Sequence, residues 1–161
     1  MMSTMAAGPG RPRSVLVVDD DEPMRVLCRA SLEEAGFRVL EATDGDEALV
    51  CVKLERPDVV LLDIMMPRVS GWTVAAELLS DESADRIPII FISARTGHAD
   101  RIRALELGAQ GYVAKPFDPA SLAETITTVL DQIDAGERDA ALAETLTSLK
   151  AEQTLADTPQ R

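Results

Sequence analysis

The feature that most constrains this chain is an alternation: five short apolar runs, each followed by a stretch with helical spacing of apolar residues. Ser14-Val-Leu-Val-Val18 comes first, and Pro23 to Ala35 follows with Met24, Leu27, Cys28, Leu32 and Ala35 on one side. Gly36 closes that helix, the usual place for a residue that takes left-handed backbone without strain. Phe37 to Leu40 reads as a second strand. Asp44 then offers an N-cap with Glu47 at N3, a capping-box variant that opens a helix to about Leu54. Pro57 ends it, and Asp58 to Leu62 is the third strand. Gly71 to Leu79 is helical with Val74, Ala75, Leu78 and Leu79 inward, and Ile87 to Ile92 is the fourth strand. Thr96 is placed to cap a helix ending at Leu107-Gly108, and Gly111 to Ala114 is the fifth strand. Asp118 and Pro119 supply the N-cap and N1 residues of a helix to about Ile133.

Strands such as Val59 to Leu62 and Ile89 to Ile92 are apolar without alternation, so both of their faces need cover. The expectation is an α/β fold: a doubly wound, five-stranded parallel sheet with helices on both faces. Residues 1–13, with Gly8, Pro9, Gly10 and Pro12, read as a flexible leader, and 14–134 as one domain. Residues 135–161 read as a helical or disordered tail. Leu142, Leu146 and Leu149 form a narrow stripe there, out of phase with the stripe Leu122, Ile126, Val129, Ile133 and set off by Gly136. Such a tail is expected to dock on a partner, to form a homodimer with its own twin, or to fray.

Sixteen basic against 28 acidic side chains leave a formal charge of −12. That balance argues against nucleic acid or an anionic membrane as a direct partner, since both need basic surface. No apolar run approaches the ~20 residues that span a bilayer, so a cytoplasmic location is expected. Cys28 and Cys51 lack CxxC or zinc spacing and read as two reduced thiols on helices.

In an open parallel sheet, ligands bind outside the carboxyl ends of the strands. Asp19, Asp20 and Asp21 follow the first strand, Asp63 the third, Ser93 the fourth and Lys115 the fifth. The second strand ends in Glu41-Ala42-Thr43 and offers no obvious chemical group. Crowded carboxylates repel one another, and a bound cation is the usual remedy. Oxygen-only ligands suit Mg2+ or Mn2+. Lysine adds a point charge for an anionic group and serine a hydroxyl donor, which together make a phosphoryl-transfer site. Asp21 is read as the start of the first helix, where its charge suits the dipole. His98 is read as a solvated residue near a helix start and Trp72 as a packing residue.

Four motifs carry a resemblance. Val-Leu-Val-Val-Asp-Asp at 15–20, Leu-Leu-Asp-Ile-Met-Met-Pro at 61–67, Ile-Ser-Ala at 92–94 and Tyr-Val-Ala-Lys-Pro-Phe at 112–117 each fall at a strand end. Together they resemble the receiver domains of two-component response regulators, with their flavodoxin-like fold, from about Ser14 to Ile133. The resemblance implies that Asp63 accepts a phosphoryl group from a sensor histidine kinase or phosphotransfer protein. It implies that Asp20, Asp19, Asp63 and the backbone carbonyl of Met65 hold the metal. Ser93 and Lys115 would bind the phosphoryl oxygens, and Tyr112 would change rotamer with Ser93. Lys115–Pro116 is expected to be cis. Met65 and Arg95 would flank the path of water and so set the lifetime of the phosphorylated state.

Members of the family that pair through the fourth helix and fifth strand often carry Asp-Asp-Tyr where this chain has Gln110-Gly111-Tyr112, so that pairing is not implied. The roughly 27 residues after 134 are too few for an independent core. The expectation is therefore a stand-alone receiver without a DNA-binding output domain, acting on an unknown downstream protein. Two rivals stand beside it: a haloacid-dehalogenase-type phosphatase using Asp19 with Asp21, and a receiver that docks without being phosphorylated.

Overall fold

The apolar runs become five strands lying side by side: β1 (Ser14–Val18), β2 (Arg38–Ala42), β3 (Val59–Asp63), β4 (Ile89–Ser93) and β5 (Gly111–Ala114). They pair in the order β2-β1-β3-β4-β5, every pair parallel. The computed structural model describes residues 11–80, 87–95 and 97–157. The helices between strands are α1 (Glu22–Glu34), α2 (Gly45–Glu55), α3 (Gly71–Ser80), α4 (His98–Leu107) and α5 (Pro119–Asp134), and a further helix, α6 (Arg138–Asp157), follows.

The expected strand periods hold because each strand sends alternate residues to opposite faces. Leu16, Val18, Val60, Leu62, Ile89 and Phe91 pack with Val52 of α2, Val74 and Leu78 of α3 and Ala104 of α4. Val15, Val17, Val59, Leu61, Ile90 and Ile92 pack with Cys28 and Leu32 of α1 and Leu122, Ile126 and Val129 of α5. Two layers of helices around one sheet bury both sets, as the unalternating strands require.

Local chemistry sets the boundaries. Asp44 accepts the Glu47 N–H at 2.8 Å, while the Glu47 carboxylate meets the Thr43 hydroxyl and does not reach back to the cap. Asp118 accepts the Ala120 N–H at 3.0 Å, and Gly36 and Gly108 take left-handed backbone past α1 and α4. Two expectations shift. β2 begins at Arg38 and runs to Ala42, because its register pairs Arg38 with Ser14 and Ala42 with Val18. β4 begins after Pro88, whose carbonyl instead accepts the Val60 N–H. The expected Thr96 cap and most of the expected leader lie outside the described residues; Gly97 is the N-cap of α4.

The tail adds to its expected fates a further one, a contact within the same chain. It is helical and folds back on its own chain, with Leu142, Leu146 and Leu149 half-buried and no residue buried. Lys150 Nζ pairs with Glu106 at 2.8 Å, and His98 Nε2 with Glu152 at 3.0 Å. His98, exposed at the start of α4 as expected, thus also meets α6. The physical reason is that α4 and α5 offer the leucine stripe a surface within the same chain. No helix among the described residues is long and apolar enough to cross a membrane.

Candidate functional site

β1 is followed by a crossover to β2 on one side and β3 lies on its other side, so the strand order reverses between β1 and β3. The crevice at their carboxyl ends receives Asp19 and Asp20 from β1 and Asp63 from β3. One oxygen of each of the three carboxylates lies within 4.8 Å of the others. Asp19 and Asp63 are buried, at 3% and 5% exposure, and Asp20 is open to solvent. Lys115, just past β5, places its Nζ 3.0 Å from Asp19 Oδ2 and 3.7 Å from Asp63 Oδ1.

Backbone fixes the acids. The Asp21 N–H donates to Asp19 Oδ1 at 2.9 Å, and the Met65 N–H to Asp63 Oδ1 at 3.3 Å. Asp21 is the N-cap position of α1, with an exposed side chain that makes no cap bond and stands outside the carboxylate cluster. Burial, then the charge of Asp19, push the Asp63 carboxyl up to about 6 against the opposing pull of Lys115. Burial alone would lower Lys115, but its hydrogen bond to Asp19 and the charges of Asp19 and Asp63 raise it, so the ammonium persists.

The remaining expected residues gather at the same edge. Ser93 is fully buried at the end of β4; its Oγ accepts the Arg95 N–H at 3.1 Å and its carbonyl the Lys115 N–H at 2.8 Å. The Lys115–Pro116 peptide is cis. Tyr112 is half-buried, donates its hydroxyl to the Arg95 carbonyl, and lies under the Arg101 guanidinium at 5.7 Å. Met65 is 60% exposed beside Asp63, and Arg95 Nε pairs with Asp100 at 3.2 Å.

An all-oxygen cluster facing one ammonium suits a small hard divalent cation. Ligand distances of about 2.1 Å place oxygens on opposite sides of such an ion roughly 4.2 Å apart, and one oxygen of each carboxylate already lies within 4.8 Å of the others. The residues present therefore fit Mg2+.

Sequence reading missed three positioning residues. Arg25 Nη1 donates to the Asp19 carbonyl at 2.8 Å, and its Nε pairs with Glu41 at 3.3 Å, so Glu41 does contribute to this edge. Gly71, whose N–H donates to the Ile64 carbonyl at 2.8 Å, packs directly on the Asp63 backbone. Only the glycine carried a signal, as a Gly opening a helix. Trp72, next in line, is packed as expected, tilted against Phe91 at 4.9 Å with Arg103 4.2 Å over its ring.

The family model described as the response regulator receiver domain matches residues 15–127. The chain belongs to this family. As a receiver domain it is 36% identical over 130 residues to the phosphate regulon transcriptional regulatory protein PhoB of Pseudomonas aeruginosa, covering 81% of this chain and 57% of that one. It is 46% identical over 116 residues to the probable transcriptional regulator ycf27 of Guillardia theta, covering 72% and 44%. Among solved structures it is similar to the chemotaxis protein CheY4 of Vibrio cholerae, with TM-score 0.69 and 30% identity over 73% of this chain and 98% of that one. The receiver spans about half the length of the curated relatives it matches. Because those relatives are named transcriptional regulators, they lend no support to the expectation that nucleic acid is not a partner. The phosphatase rival is set aside, since the family is that of receivers and Asp21 stands apart from the cluster.

Proposed function

We propose that this receiver is a cytoplasmic phosphorylation switch in which Asp63 takes a phosphoryl group from a phosphohistidine of a sensor histidine kinase or phosphotransfer protein. The observation that carries the proposal is the pairing of a buried Asp63 with Lys115, Asp19 and Asp20 at the sheet's switch point. A carboxylate oxygen of Asp63 forms the new O–P bond as the N–P bond breaks, and the imidazole nitrogen keeps the electron pair. Asp19, Asp20, Asp63 and the Met65 carbonyl would hold Mg2+, which supplies charge neutralisation for the transferring group. Lys115 moves from its carboxylate contacts to a phosphoryl oxygen, and the Ser93 hydroxyl donates to another. Ser93 is drawn toward the site, and Tyr112 follows by changing rotamer. Nothing in this sequence of steps releases a turnover product, so the chain acts as phosphoacceptor and not as an enzyme.

The assembled set of groups favours this reading over a receiver that only docks. The −12 charge favours a protein as the direct downstream partner of these 161 residues. The test is intact mass after incubation with a small phosphodonor. One added phosphoryl group is expected with Mg2+ present, and none with a chelator. Uptake that ignores the chelator would remove the metal from the account.

A further inference from the structure

The α4–α5 face carries something that neither the sheet nor the phosphorylation site requires, the twenty-residue helix α6 laid across it. The fit is loose. Leu142 and Thr145 of α6, with Leu105, Gln110, Thr128 and Val129 beneath, line a solvent-open cleft of about 380 Å³. No α6 residue is buried, and neither hydrophobic core includes one. The Lys150–Glu106 ion pair and the His98–Glu152 hydrogen bond join side chains near half exposure or beyond, where such links hold weakly. Gly136, at φ +75°, forms the joint with α5 and can re-aim the helix at low cost.

The covered face is also the one tied to the site. Ser93 Oγ accepts the Arg95 N–H, the Arg95 carbonyl accepts the Tyr112 hydroxyl, and Arg95 pairs with Asp100 in the first turn of α4. The first residue of that helix, His98, is the one that holds Glu152 of α6. A shift at Ser93 therefore reaches the α6 contact through one short loop and one helical turn.

We propose that α6 is a displaceable strap. It occupies the α4–α5 face in the resting chain. When Asp63 is phosphorylated it yields that face to a partner helix with the same character: a narrow leucine stripe and a cation placed for Glu106. The trigger rests on the phosphorylation proposed above; the strap itself rests on the packing of α6 alone.

Hydrogen–deuterium exchange on the full chain tests both parts. Lys150→Glu should speed exchange of α6 amides about tenfold and uncover the α4 surface, leaving α1 unchanged. Adding Glu106→Lys should restore protection, which a merely structural disturbance would not do. Phosphodonor with Mg2+ should speed α6 exchange likewise in the unaltered chain. Unchanged α6 exchange in Lys150→Glu would overturn the strap, as would a chain shown by mass to be phosphorylated yet equally protected over α6. If no phosphoryl group is taken up, the proposed function fails and the trigger with it, while the charge-reversal arm still decides the strap.

Discussion

Gly71 rests against the backbone of Asp63: a β-carbon added there would lie 2.3 Å from the Asp63 carbonyl oxygen and 2.7 Å from the Ile64 Cα. Those neighbours are main chain and cannot swing aside. Gly71→Ala should destabilise the fold by about 1–3 kcal/mol, the usual cost of overpacking, and displace the strand end that holds Asp63. Phosphoryl uptake should fall even where the protein remains folded. Gly111→Ala is the control, since its added carbon would meet Ile90 at an ordinary 3.5 Å. Thermal melts and uptake rates of both variants check this, and equal behaviour would contradict it.

The sheet and the site were legible in the sequence because parallel strands bury both faces and must be apolar throughout, and because their carboxyl ends converge. Asp19, Asp63, Ser93 and Lys115 could therefore be placed together from strand ends alone. Two kinds of feature were not legible. Arg25 reaches the Asp19 carbonyl from a helix, and Glu41 completes that link from β2; neither has a local signature. The fate of α6 was hidden because a leucine stripe reads the same whether its surface belongs to a twin, a partner or the same chain.

Asp63 should make stability depend on pH. Its carboxyl is raised to about 6 in the folded chain, against about 3.9 when unfolded. Between those values the folded state holds a proton that the unfolded state has lost, so stability falls as pH rises through the window and the cost is constant above it. Asp63→Asn in metal-free buffer should therefore stabilise the fold by on the order of 2 kcal/mol at pH 8 and by clearly less at pH 4.5. Denaturation midpoints at the two pH values check it. The same gain at both would show that Asp63 is not raised.

Met65 is exposed beside Asp63, and Arg95 stands two residues past Ser93; we propose that both border the approach to the acceptor carboxylate. Replacing both with small polar residues should admit water and shorten the life of the phosphorylated chain several-fold. Loss of phosphoryl group over time, followed by intact mass, measures it. An unchanged decay would mean that shielding lies elsewhere.

The chemistry should survive removal of the tail, since both hydrophobic cores close without α6. A chain ending at Ala135 should fold cooperatively and take up phosphoryl group at an undiminished rate. Its exposed α4–α5 surface should raise binding of an apolar dye. Unfolding on truncation would make α6 part of the domain that it covers.

The central claim is that Asp63 is the acceptor. Borohydride reduces an aspartyl phosphate to homoserine, which marks the modified position permanently. After phosphodonor, Mg2+ and borohydride, peptide mapping should find homoserine at position 63 in the unaltered chain and at no position in Asp63→Asn. Homoserine at position 19 or 20, or full labelling of Asp63→Asn, would contradict the account.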